Sequence, residues 1–367
     1  MKLPESPHLR LFLRRLALGT GLAVFFTWLA LRQPQGDDGR LVQEEFLAMG
    51  TIVSISLYLD TDQDRDAALD ALDDARHDLE TYAQRWSAWG DGALGRINRQ
   101  LDAGERVEIP AELQPLFDAA ARLGTASGGL FDVRVGRLVE LWGFDDEAHY
   151  RSAPPDEAAI GAAVADLAGA PPLLAGAAEY GPATGARFDF GAIAKGEATD
   201  RIVETLREAG YPNVIVNAGG NLRAAGRRGG RAWRIGVRHP RPGTQQRVLA
   251  TLDIDGDEAV ITSGDYERYF ETEGETGSER YHHLLDPRSG MPARGLQAVT
   301  VVAPSGALAD AASTAIFVAG PGQWRDTARA LGVDQVFVVD AQGRIEVTAA
   351  LARRIDFAEG SAAITVP

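Results

Sequence analysis

The chain has no cysteine. That excludes disulfides, thiolate metal sites, cysteine nucleophiles and a lipid-modified N-terminal cysteine, and it leaves the compartment open. Lysine is almost absent as well: of 37 basic residues only Lys2 and Lys195 are lysine, and the rest are arginine. Positive charge is scarce overall. The net charge is −15, which argues against nucleic acid as the main partner, because phosphate backbones recruit basic faces. A phosphate-bearing ligand must then be met by local devices such as helix N-termini, metal ions or single cations.

What is present is ordinary for a folded protein. The chain has 367 residues, 45% hydrophobic and 24% charged, enough for a substantial core in one large or two smaller domains. At the N-terminus, Lys2, Arg10, Arg14 and Arg15 precede an apolar run over Leu16–Leu31, which has the length of a signal peptide or short anchor. Arg32 and a polar linker, 33–40, follow. No small-residue cleavage site follows the run. The preferred reading is an uncleaved anchor at 1–32, its basic end cytoplasmic and the body, 41–367, exported to the extracytoplasmic face of a bacterial inner membrane. A cleaved export signal is the competing reading.

The body reads as α+β. A strand over Phe46–Asp60 is entered through Met49-Gly50-Thr51. A long amphipathic helix follows from Asp62 to about Trp89, then a turn-rich stretch to Asn98, a short strand at 107–109 and a helix over 113–127. A loop leads into a helix ending at Trp142. Residues 145–183 read as a surface insertion holding one helix. Then come a short strand at 187–190, a helix over 193–209 and a series of strands between 213 and 263. The tail reads strand, helix, helix, strand, strand.

Four stretches carry more Gly, Asn, Asp and Thr than loops need. The first is Arg187–Asp200, RFDFGAIAKGEATD. Asp189 ends a strand, Gly191 makes a turn and a helix begins, which aims free N–H groups at a ligand. It holds Lys195, the one lysine of the body, a compact cation where arginine offers a wide fork. Lys195 either grips phosphate or steadies the loop through a carboxylate such as Asp189. In the second, Val216–Gly226, Gly219 and Gly220 suit either close backbone approach to a ligand or a tight hairpin. The third runs from Ile261 to Gly290 and offers Ser263, Gly264 and Asp265 after an apolar strand, then His282 and His283. Adjacent residues of a strand face opposite ways, so only one of these histidines enters a given site. The fourth, Ala309–Ala315, places Asp310 and Thr314 four residues apart on one helix face, a hard-oxygen set suited to Mg²⁺. Asp310 as a helix N-cap is the competing reading.

Taken in order, seven segments resemble the ApbE family, the FAD:protein FMN transferases: Met49-Gly50-Thr51, FDVRVGRLVELWGF, DFGAIAKGEATD, NAGGN, ITSGDYERYF, HHLLDPRSGMPA and ADAASTA. They run from about Met49 to about Gly320. The resemblance implies an α+β fold with a T-fold-like core that binds FAD. It implies Mg²⁺-dependent transfer of FMN to a threonine hydroxyl of a target protein, with release of AMP. The implied target is a membrane redox subunit with a D-G-x-[ST]-G-A-T-type motif; this chain holds no such motif and so would act in trans. On the same ground Asp310 and Thr314 match the metal-binding side chains, and Ala192 and Ser313 match positions giving carbonyl oxygens to the metal. His283 matches the proton-transfer histidine, and Met49 a residue lining the flavin pocket. The chain departs from the family pattern in lacking a cysteine to lipidate, in Arg134 where a small residue is expected, and in length around 145–183 and 223–231. FAD hydrolysis to FMN and AMP at the same site, and flavin binding without chemistry, are the two rival functions.

Overall fold

A single strand shows how the main sheet is buried. In β9 (Glu258–Gly264), Ala259 and Ile261 belong to one apolar core and Val260 to another. Such alternation buries a sheet on both faces. The computed structural model describes residues 40–145, 151–241, 248–274, 277–358 and 363–366.

The chain opens with β1 (Leu41–Ala48), β2 (Thr51–Tyr58), α1 (Arg65–Trp86) and α2 (Ala93–Asp102). Next come β3 (Val107–Glu108), α3 (Gln114–Ala126), α4 (Gly136–Trp142), α5 (Glu157–Gly169) and β4 (Glu179–Tyr180). The middle holds α6 (Ala194–Glu208), β5 (Val214–Ala218), β6 (Asn221–Ala225), β7 (Trp233–Arg238), β8 (Val248–Ile254) and β9, then β10 (Tyr269–Gly274) and β11 (Gly277–His282). The last part holds β12 (Leu296–Ala303), α7 (Gly306–Ala319), α8 (Trp324–Ala330), β13 (Gln335–Asp340) and β14 (Ile345–Thr348). It ends with α9 (Ala349–Ala352), β15 (Ile355–Phe357) and β16 (Ala363–Val366).

Nine strands form the central sheet in the order β1-β2-β5-β6-β9-β12-β13-β14-β16. Its pairs are antiparallel except β14 with β16. One face carries Val53, Ile55, Val216, Ile261, Val299 and Val338 against α1, α6 and α7. The other carries Leu222, Val260, Val302 and Phe337 against the three-stranded sheet β15-β8-β7. A third cluster joins α4 and α5 to the β10–β11 hairpin through Trp142, Phe144, Ile160, Phe270 and Tyr281.

Several elements differ from their sequence reading. The first strand is a hairpin: β1 precedes β2, and Glu44 on its inward-facing set with Leu47 exposed on the outer set hides the alternation. The turn-rich stretch after Trp89 holds α2, whose glycines mark close packing rather than a turn. A Cβ on Gly92 would collide with the Gln84 carbonyl, and one on Gly95 with that of Gly90. The expected strand at 187–190 is only an isolated bridge, Arg187 to Val135. The 145–183 insertion is tied into the body, since β4 pairs with β3 and Ile160 and Leu167 are buried. Arg134, placed where a small residue was expected, pairs with Asp132 at 2.6 Å and donates to the carbonyls of Ala170 and Pro171, so it anchors that insertion. No helix among the described residues is long and apolar enough to cross a membrane. The expected N-terminal segment, 1–32, and all but the last residue of the linker lie outside the described residues.

Candidate functional site

Two helix N-termini meet at a pair of glycines. A Cβ on Gly196 would collide with the Gly306 carbonyl oxygen, and one on Gly306 with that of Gly196. Only glycine at both positions lets α6 and α7 approach backbone to backbone. Each helix then lends a carboxylate to the other. Asp200 of α6 accepts from the N–H groups of Gly306 at 2.7 Å and Ala307 at 3.1 Å. Asp310 of α7 accepts from Gly196 N–H at 3.0 Å through Oδ2. Four orphan N–H groups at each helix start make such acceptors favourable. Arg223 of β6 closes the arrangement with its Nε 2.8 Å from Asp200.

This corrects the N-cap reading of Asp310. The cap of α7 is Ser305, whose Oγ accepts from Leu308 N–H, and Asp310 stands a full turn inside. Its carboxylate, 4% exposed, serves the neighbouring helix. A further consequence falls on Ala192. Gly196 N–H, which a continued helix would give to the Ala192 carbonyl, goes to Asp310, and that carbonyl receives no backbone donor among the described residues.

Beside Asp310 three hydroxyls gather. Ser263, at the end of β9, lies 2.8 Å from Ser313 Oγ and 3.3 Å from Thr314 Oγ1, and Ser313 Oγ also donates to the Asp310 carbonyl at 3.0 Å. One buried carboxylate, a set of hydroxyls and a backbone carbonyl with no backbone donor are hard oxygen donors, and they fit a small divalent cation that takes its remaining ligands from water and phosphate. No group of three or more His, Cys, Asp or Glu side chains suited to a metal occurs among the described residues, so a cation here rests on this mixed set.

The other end of the 191–196 segment lies near Arg268, and its Lys195 acts electrostatically on His283. Asp189 Oδ1 accepts from Gly191 N–H at 2.6 Å, forming the turn, and Lys195 Nζ donates to the Gly191 carbonyl at 2.9 Å. The supposed partnership of Lys195 with Asp189 is therefore replaced: each side chain serves the Gly191 backbone from opposite sides. His283 Nδ1 lies 3.2 Å from the Arg268 carbonyl, and its own N–H donates to the same oxygen at 3.1 Å. A carbonyl only accepts, so Nδ1 carries the proton and Nε2 keeps a free lone pair. Burial, then the charges of Arg268, His282 and Lys195, hold this imidazole well below the usual histidine value. His282 points the other way. It is buried, bonds the Ala293 carbonyl at 2.8 Å, stands edge-on to Phe317, and is pushed down to about 4, chiefly by burial.

The remaining expected residues fall at one end of the sheet. Met49 and Gly50 form the two-residue turn of β1–β2, with Met49 at φ 52, a left-handed conformation unusual for a bulky side chain. Gly219 and Gly220 form the turn of β5–β6, both at positive φ, and a Cβ on Gly219 would strike Thr51 Oγ1. The tight-hairpin reading thus accounts for Gly219, while Gly220 faces open space. Gly264 is held by Tyr266, whose ring leaves no room for a Cβ. Asp265 is engaged bidentately by Arg241 at 2.6 and 2.8 Å, which occupies the acceptors a ligand would use. Two residues went unselected in the sequence. Asn221, buried at the start of β6, has an Nδ2 donor with no hydrogen-bond partner, a group that a ligand acceptor would satisfy. The other is Arg268; nothing in its spacing separates it from the many arginines around it.

The sequence matches the ApbE family model over residues 49–337. It is 34% identical over 358 residues to an FAD:protein FMN transferase of Rhodobacter capsulatus, covering 96% of this chain and 65% of that protein, so the chain spans just under two thirds of that relative. It is 34% identical over 286 residues to the FAD:protein FMN transferase of Treponema pallidum, covering 72% of this chain and 75% of that one. The fold resembles an ApbE protein from Thermotoga maritima with a TM-score of 0.70 and 30% identity, over 86% of this chain and 99% of that one. The flavin transferase ApbE of Vibrio cholerae superposes with a TM-score of 0.72 at 25% identity, over the same shares of the two chains.

Proposed function

The chain belongs to the ApbE family, and from that premise we propose that it transfers FMN from FAD to a threonine hydroxyl of a partner protein, with Mg²⁺ as cofactor and AMP as the leaving product. The observation that carries the reading is the 191–196 segment. Gly196 at one end donates to Asp310, while Lys195, bonded to the Gly191 carbonyl at the other, carries a charge that acts on the His283 imidazole.

Asp310, Thr314 and the Ala192 and Ser313 carbonyls would hold the cation, which when bound neutralises diphosphate charge and polarises phosphorus toward attack. The rest falls to the chain's own residues. His283 Nε2 takes the proton from the threonine Oγ as that oxygen bonds the FMN-side phosphorus, and the bond from this phosphorus to the bridging oxygen breaks, so AMP departs with that oxygen. The Arg268 carbonyl fixes the tautomer. Lys195 holds the Gly191 carbonyl and presents a cation to the same space. Asn221 Nδ2 and the open face of Gly220 suit a ligand lying along the sheet end.

The charged and apolar N-terminal sequence supports export, with the body held at the outer face of the inner membrane and the acceptor a membrane redox subunit there. The test is to mix the protein with FAD, Mg²⁺ and an acceptor carrying a D-G-x-[ST]-G-A-T motif and weigh the acceptor. An added FMN mass is expected. Bound FAD without that mass would rule out transfer to this acceptor, and AMP release no slower without acceptor would favour hydrolysis.

A further inference from the structure

Arginines around the site are mostly tied to acids. Arg280 pairs with Glu271 at 2.9 Å, Arg241 with Asp265, and Arg238 with Glu267 at 2.5 Å. Arg268 is the exception among them. Its Nη1 donates to the Phe144 carbonyl at 3.3 Å, and it makes no ion pair with any described carboxylate. Its Nη2 is directed at Gly191, 3.7 Å from where a Cβ on that residue would stand. Lys195 reaches the same turn from the helix side and likewise has no described carboxylate partner. Both cations, together with His282, lower the affinity of His283 for a proton, so all three groups share one small region.

In a chain of net charge −15, two cations left without acids beside a histidine form a local seat for an anion. We propose that the Arg268 guanidinium is a substrate-binding group that grips the diphosphate of the flavin nucleotide, with Lys195 on its other side. The inference rests on the transferase reading for the identity of the nucleotide. The fork of Arg268 suits two oxygens of one phosphate, while Lys195 supplies a point charge. The arrangement links binding to chemistry. The Arg268 carbonyl fixes His283 while its side chain fixes the phosphate, so one residue sets the distance between base and electrophile.

The experiment measures binding rather than turnover. The full chain, with Arg268→Gln and Arg268→Lys, is titrated at fixed Mg²⁺ with FAD, inorganic pyrophosphate and riboflavin, and each variant is melted. For Arg268→Gln, affinity for FAD and pyrophosphate should fall about 10- to 100-fold, the worth of one or two charge-assisted hydrogen bonds. Riboflavin, which has no phosphate, should bind as to the wild type, and Arg268→Lys should recover part of the loss. Unchanged FAD affinity in Arg268→Gln overturns the proposal. So does an equal loss for riboflavin, which would mean that Arg268 only shapes the pocket. A wild type that binds both phosphate ligands but transfers no FMN would leave this inference standing and remove the transferase reading instead.

Discussion

Asp310 caps the neighbouring helix and is proposed to hold the metal ion, and two substitutions separate these roles. Its Oδ2 accepts Gly196 N–H across the α6–α7 contact, and its backbone carbonyl accepts from Ser313, which with Thr314 meets Ser263. Asp310→Ala removes both functions. It strands a buried N–H, at about 1–3 kcal/mol. For a domain of this size, at about 2–4 °C per kcal/mol, that lowers Tm by roughly 2–12 °C. Asp310→Asn keeps an amide oxygen for Gly196 and loses only the charge at the helix start, about 0.3–1 kcal/mol or at most ~4 °C. Both should lose Mg²⁺-dependent release of AMP by roughly 100-fold or more, because the amide oxygen is a poor ligand for a hard cation. The assay is thermal unfolding without metal, paired with AMP release from FAD over a Mg²⁺ titration. An asparagine variant that turns over like the wild type at the same Mg²⁺ would refute the metal role. An alanine variant that melts with the wild type would refute the capping role.

Three other outcomes are expected. Gly196→Ala should force α6 from α7 at about 1–3 kcal/mol, and adding Gly306→Ala should cost less than the sum, since both press on the same contact; thermal unfolding checks this. His283→Gln should lower the transfer rate by about 10²–10⁴ with little change in Tm, and the wild-type rate should stay level through neutral pH and fall only at acid pH, because the imidazole is held well below the usual histidine value. His282 has the sign of a base whose folded value lies below its unfolded one: the unfolded chain binds its proton first, so stability is full above about pH 6.5 and is lost as pH falls toward about 4, by up to about 3 kcal/mol. Urea unfolding at several pH values measures it, and His282→Gln should flatten that slope.

The sequence made the long elements legible where apolar spacing was regular. Leu72, Ala75 and Leu79 mark α1, and the strand residues around Val260 and Val301 mark the sheet centre. It misled where glycine served packing. Gly92 and Gly95 look like turn residues, yet one lets α2 lie against the end of α1 and the other against the Gly90 backbone of the connection, and only the facing carbonyls reveal why. The competing reading of Asp310 as the cap of its own helix arose because the sequence shows that helix and not the one it serves. The sequence also brought out Asp310, Thr314, Lys195 and His283, because hydroxyls, a lone lysine and a histidine pair are rare local signals. Arg268 and Asn221 carried no such signal: one is an arginine among many, the other an asparagine beside a turn, and each becomes distinctive only through the partners it lacks.

Transfer to a threonine acceptor is the step most directly open to test. The measurement is the mass of a D-G-x-[ST]-G-A-T acceptor after incubation with the full chain and FAD, with Mg²⁺ and with a chelator in its place. An FMN adduct on the threonine is expected with Mg²⁺, none with chelator, and AMP released in equal amount. An unmodified acceptor alongside bound FAD and Mg²⁺, or an adduct formed equally well under chelator, would contradict it.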